Sequence, residues 1–182
     1  MGQYYAPMVI NPKARKNKVV KWWYAHKYGD GLKLMEHSYI GNTLCNAVEN
    51  CLFEHPSRIV WAGDYAEKEK DCDTNLYDMA DDAKCVNESE VTDLPKGCFV
   101  VNLTKGQYYD RDKMYKANLN EVYNLSVNPL PLLTAEGNGQ GGGDYDGINM
   151  PFVGMWARDE IVISTKKPEV LKEIYPYFEC KY

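Results

Sequence analysis

The sequence predicts an α+β domain: a twisted, mostly antiparallel sheet, one main helix (about residues 42–54) packed on one face, and a short C-terminal helix. Three observations lead there. About seven short β-branched or aromatic runs, mostly spaced for hairpins, have the look of strands. Ile40, Leu44, Val48, Cys51 and Leu52 repeat at three and four residues, which draws one apolar stripe on a helix. Strands and helices do not alternate regularly, which argues against a doubly wound parallel sheet.

In chain order, residues 4–10 predict a first strand, with Pro7 suggesting an edge or irregular position because proline donates nothing to a ladder. Val19–His26 predicts a second strand, hairpinned to the first across a lysine-rich loop, and Tyr28-Gly29-Asp30-Gly31 a turn. The main helix starts at Asn42, a good N-cap, and stops before Pro56. Arg58–Ala62 is a short strand that ends at Gly63-Asp64. Residues 66–96 form an acidic loop or insertion with weak periodicity, holding at most a short helix within Thr74–Ala83 through Leu76, Met79 and Ala80. Cys98–Leu103 and Gly106–Asp110 predict a hairpin; Leu119–Leu125 fits helix or strand. Leu130–Ala135 is an apolar run, and residues 137–143 a glycine loop. Phe152–Trp156 and Glu160–Ser164 predict strands, and Thr165 caps a helix over Pro168–Ile174.

The 182 residues suit a single domain, 1–182, that buries roughly 70% of its unfolded surface. The net charge is −5, so a generic nucleic-acid partner is not expected. The charge is segregated: residues 64–93 hold eleven acids against three lysines, a net of −8, while residues 1–33 hold seven Lys/Arg and one acid. The acidic segment is a candidate surface for a basic protein partner, or a solvated face. No run of 18 apolar residues and no secretion leader is visible, which predicts a cytoplasmic protein that keeps off membranes. The six cysteines contain no C-x-x-C pair and are expected as thiols.

Gly137-Asn138-Gly139-Gln140-Gly141-Gly142-Gly143-Asp144 is the most unusual segment. Five glycines in seven residues lose much backbone entropy on ordering, which makes sense where main chain approaches a ligand or turns through positive φ. Exposed amides there, Asn138 and Gly141 among them, could cradle an anion; a plain hairpin connection is the alternative. Three Gly-Asp steps end in Asp30, Asp64 and Asp144, and converging carboxylates would suit a hard cation. Asp in turns also serves backbone hydrogen bonding alone. Among His26, His37 and His55, His26 is the best candidate for a base or ligand, beside Tyr28 and Asp30. Trp156-Ala157-Arg158-Asp159 joins an aromatic plane to a guanidinium that can fork onto an anion or brace an acid.

Taken together, the segments Gly2-Gln3-Tyr4-Tyr5, Tyr28 through Glu36, Val60 through Tyr65, Pro129 through Thr134, the glycine loop through Tyr145, and Trp156 through Asp159 resemble an uncharacterised family of small hypothetical microbial proteins. The resemblance spans most of the chain outside residues 66–96 and brings no activity or cofactor with it. The residues themselves lead to a cytosolic, non-catalytic binding or regulatory module for a small anionic, nucleotide-like ligand, with His26, Asp30, Asp64, Asn138, Gly141, Asp144, Trp156 and Arg158 as contacts. The rivals are a metal-assisted hydrolase or nucleotide-processing enzyme, and an interaction or structural component, phage-encoded in one version, that uses the acidic segment.

Overall fold

The computed structural model describes residues 2–14, 18–87, 91–139 and 145–179. Strand β1 (Tyr5–Ile10) pairs antiparallel with β2 (Val19–Trp23), the expected hairpin. A 3-10 turn over Ala25–Tyr28 ends at Gly29, whose φ of 77° is left-handed and favours glycine. Helices α1 (Leu34–His37) and α2 (Thr43–Leu52) lead to β3 (Ser57–Gly63). Then come α3 (Leu76–Met79), β4 (Lys84–Val86), β5 (Phe99–Asn102), β6 (Gln107–Asp110) and α4 (Arg111–Ala117). A small separate hairpin, β7 (Leu119–Asn120) with β8 (Leu125–Ser126), precedes α5 (Pro129–Leu133) and β9 (Ala135–Glu136). β10 (Glu160–Ser164) and β11 (Lys172–Glu173) complete the fold.

The result is a mixed α/β fold with one large sheet in the order β11-β6-β5-β10-β3-β1-β2-β4, and β9 beside β3. Most ladders are antiparallel; β11–β6, β2–β4 and β3–β9 run parallel. The helices are short. α2 lies where a single main helix was expected, but at 10 residues it is the longest of several. Its start is set by Asn42, whose Oδ1 accepts from the Cys45 amide at 3.1 Å.

Three expectations are corrected. Residues 168–171 are not helical, and Lys172–Glu173 instead adds to the sheet beside Gln107–Tyr108, because the backbone there finds partners on β6. Phe152–Trp156 is not a strand; it is a 3-10 turn and tight turns, which lets Trp156 drop into the core. Pro7 is the irregular position expected of it: it pairs with Trp61 of β3 and has no register partner on β2, where the first pair is Met8 with Trp22. The acidic segment is more structured than its composition suggests: Leu76 and Ala80 are buried, and Lys84–Val86 extends the sheet.

β1 and β3 alternate between two cores. Tyr5, Val9, Ile59 and Trp61 join the larger one, which α2, α4 and α5 cover with Leu44, Val48, Leu52, Met114, Leu130 and Leu133. Ala6, Met8, Ile10, Val60 and Ala62 face the smaller one, closed by Leu76 and Ala80. This is the period of two that a strand buried on both faces must show.

The larger core also holds charge. Glu49 on α2 is fully buried and takes hydrogen bonds from Arg111 Nη2 at 2.9 Å and Asn128 Nδ2 at 2.8 Å. His37 is fully buried as well: Trp61 Nε1 donates to its Nε2 at 3.1 Å. Indole N–H can only donate, so Nε2 is the bare nitrogen and Nδ1–H faces the Gly31 carbonyl at 2.9 Å. Burial holds the His37 imidazole below its ordinary pKa, in keeping with that neutral tautomer.

Candidate functional site

The edge of β3 explains how distant residues meet. Its first residues pair with β10, through Arg58 with Glu160, and its last residues pair with β9, through Ala62 with Glu136. Between the two, the Arg158 amide donates to the Ile59 carbonyl at 2.9 Å. Arg158 therefore sits in line with Glu136 on the same strand edge. Its φ of 67° is left-handed, an uncommon backbone for an arginine.

The guanidinium is clamped. Its Nε donates to Glu136 Oε2 at 2.5 Å, and its Nη2 donates to Glu136 Oε1 and to Glu69 Oε1. Lys18 reaches the other Glu69 oxygen at 2.5 Å. Burial pushes the Glu69 carboxyl up, but hydrogen bonds from Arg158 and Lys18 outweigh it and hold that carboxyl below its ordinary value. The hydrogen bond to Glu136, with that to Glu69 behind it, pushes the Arg158 pKa further up. Around this network lies a cleft of ≈ 440 Å³ lined by residues 67–70, Glu136, Gly137 and Arg158. Arg158 Nη1 carries no protein acceptor among the described residues, and the side chain is 37% exposed. Lys68 and Lys70 add two cations to the lining. No aromatic ring lines the cleft among the described residues.

Beside the cleft, the Gln3 side chain fills the space between two glycines. A Cβ at Gly63 would lie 2.3 Å from Gln3 Nε2, and one at Gly137 would lie 2.4 Å from Gln3 Oε1. That oxygen accepts from the Tyr5 hydroxyl at 3.1 Å and from the Asn138 amide at 3.3 Å. The Asn138 amide, expected to face an anion, is thus taken by the chain's own glutamine. Gln3 Nε2 is buried without a partner among the described residues.

The other expected contacts lie elsewhere or are engaged. Asp64 Oδ1 accepts from the Tyr4 amide at 3.0 Å, so this carboxylate ties down the start of β1, next to Gly63. Asp30 binds the start of α2, accepting from Asn42 Nδ2 at 2.6 Å and from the Leu44 amide at 3.3 Å. Trp156 is fully buried; it donates to Gln107 Oε1 at 2.9 Å and stacks near Tyr109, so it offers no open face to a ligand. His26 is exposed, with Nδ1 3.2 Å from the Tyr24 hydroxyl. Gly141 and Asp144, and most of the glycine loop with them, lie outside the described residues. The bends at 63–64 and 137–138 meet across Gln3; the structure does not show the 29–31 bend joining them.

Among the described residues no three His, Cys, Asp or Glu side chains gather as ligands for a metal ion. Cys45, Cys51, Cys72, Cys85 and Cys98 are thiols, so Cys72 and Cys85 are not bridged. No helix among the described residues is long and apolar enough to cross a membrane. Glu69, Glu136, Gln3 and the lysines at 68 and 70 escaped sequence reasoning. Only the reach of Arg158 for an acid was visible there, without the acids' identity. Comparison with family models, curated proteins and solved structures gives no match.

Proposed function

We propose that this is a non-catalytic binding module, working in the cytoplasm, whose cleft at Arg158 takes a small anionic ligand. One observation carries the reading: a guanidinium held by two carboxylates through Nε and Nη2 keeps Nη1 without an acceptor among the described residues. An arginine already fixed in place loses little freedom when it binds, which favours a small ligand. Lys68 and Lys70 bring the cations of the lining level with its three acids, Glu67, Glu69 and Glu136, and the last two of these are engaged by Arg158. The ligand is a phosphate- or carboxylate-sized anion rather than a nucleotide, because a base would find no ring on which to stack. The free thiols fit a reducing compartment.

Calorimetric titration with inorganic phosphate, citrate and ATP tests this. Phosphate or citrate is expected to bind, and the Lys68→Ala/Lys70→Ala double variant, which leaves the Arg158 brace intact, is expected to weaken it at least tenfold. If none of the three anions binds, or the double variant binds as well as the original chain, the reading fails. ATP binding far more tightly than phosphate would restore the nucleotide form of the ligand.

A further inference from the structure

We propose that a second recess, between β2 and α3, is a binding site for a trimethylammonium group. The recess holds ≈ 300 Å³ and is lined by Ala6, Trp22, Tyr24, Tyr77, Ala80 and Asp81. It shares no lining residue with the Arg158 cleft, so each site stands or falls alone.

The walls follow from strand and helix geometry. Trp22 lies on β2 and Tyr24 two residues on, just past the strand in backbone that is still extended, so they project to the same side, with ring centroids 5.7 Å apart and planes 59° to each other. Tyr77, on α3, supplies another ring. Ala6 and Ala80 carry only methyl groups, and their small size leaves the space open between the rings. Three electron-rich rings around a small recess attract a cation through their quadrupoles and reject an anion.

The charge around the rings has the same sign. Asp81 lines the recess, and no lysine or arginine does so among the described residues. Burial, then the Asp64 charge, then Tyr24, Asp81 and Tyr4 push the Tyr77 hydroxyl up to about 12, so the tyrosine stays neutral while carboxylates act on its surroundings. Lys21, the nearest cation along β2, is turned to Trp23, with Nζ 5.5 Å from that ring's centroid. Trp22 Nε1 is buried with no acceptor among the described residues. A phenylalanine would avoid that unpaired donor, whereas indole presents the strongest face to a cation.

A methylated ammonium suits such a recess better than a primary amine. Its methyl groups spread the charge over an apolar surface that needs no hydrogen-bond acceptors, and the faces of the rings supply none. The group reaches a protein either as a free small molecule of the choline type or as a trimethylated lysine on a peptide.

Calorimetric titration of the full chain with choline, tetramethylammonium and a trimethyl-lysine peptide separates these sources. The neutral isostere 3,3-dimethylbutan-1-ol serves as control. At least one cation is expected to bind roughly tenfold more tightly than the alcohol, and the tightest identifies the source. Equal binding of cation and alcohol would reduce the recess to a plain apolar dent, and silence from all three cations would end the proposal. Tyr77→Phe should keep affinity, Tyr77→Ala should abolish it, and Asp81→Asn should weaken it several-fold. Circular dichroism checks that each variant folds. If Tyr77→Ala does not fold, Tyr24→Leu gives the same reading from the opposite wall. Affinity untouched by loss of a ring overturns the proposal.

Discussion

The two faces of the central sheet are closed by different means. On one, α2, α4 and α5 cover a large apolar core and seal a carboxylate, a guanidinium and an imidazole inside it. On the other, the acidic segment buries Leu76 and Ala80 and packs half-buried Tyr77, Met79 and Ala83 beside them, and the recess opens there between Tyr77, Trp22 and Tyr24. The contrast teaches a division of labour. Buried charges that satisfy one another enforce a single arrangement of the thick face, while the thin face leaves aromatic rings accessible. The Arg158 cleft lies where this acidic segment, through Glu69, meets the β9 edge.

The largest test of that contrast is Arg111→Ala. Glu49 would remain fully buried with only Asn128 as partner, and removing one member of a buried pair costs about 3–5 kcal/mol. Urea denaturation should show that loss, and the double variant Arg111→Met/Glu49→Leu should recover much of it. If Arg111→Ala costs no more than a surface change, the thick face does not depend on its ion pair.

Gly137→Ala should have a middle-sized effect, about 1–3 kcal/mol by denaturation, because its Cβ would press on the Gln3 amide and, at 2.6 Å, on the Tyr5 hydroxyl. Adding Gln3→Ala should relieve the part due to the amide and leave the part due to the Tyr5 hydroxyl. Relief would show that the glutamine, rather than the local backbone, demands glycine beside the cleft.

His37 gives the smallest effect, seen as a pH dependence. Its folded-state pKa lies below the ordinary 6.5, so the unfolded chain takes up a proton first as pH falls. The stability from neutral His37 is complete above about pH 6.5 and declines below it, toward the lower folded-state value. Denaturation midpoints between pH 7 and pH 5 should fall for this reason, and His37→Gln, which keeps an acceptor for Trp61, should lose part of that slope. His26 and His55 are exposed and do not share this burial.

Local signals were legible in the chain itself. The β1–β2 hairpin, the Asn42 cap, β3 and the β5–β6 hairpin follow from alternation, stripe and turn residues within a few positions. What escaped depends on partners far along the chain. β4 and β11 have 3 and 2 residues, too short to show a period, and exist because β2 and β6 offer an edge. α4 starts directly on Asp110, the last residue of β6, so no break in composition announces it. α5 hides behind two prolines that a first helical turn accepts. At the site, Arg158 was visible as a cation in need of an acid, but Glu136 and Glu69 lie 22 and 89 residues away.

Two of the three short parallel strands have a further consequence. β4 and β11 stand at the two ends of the sheet. A neighbouring molecule that tried to stack its own backbone against either border would find a template of two or three residues, too little to seed a growing ladder. The same brevity that hid these strands from pattern reading leaves little of either one as an open edge.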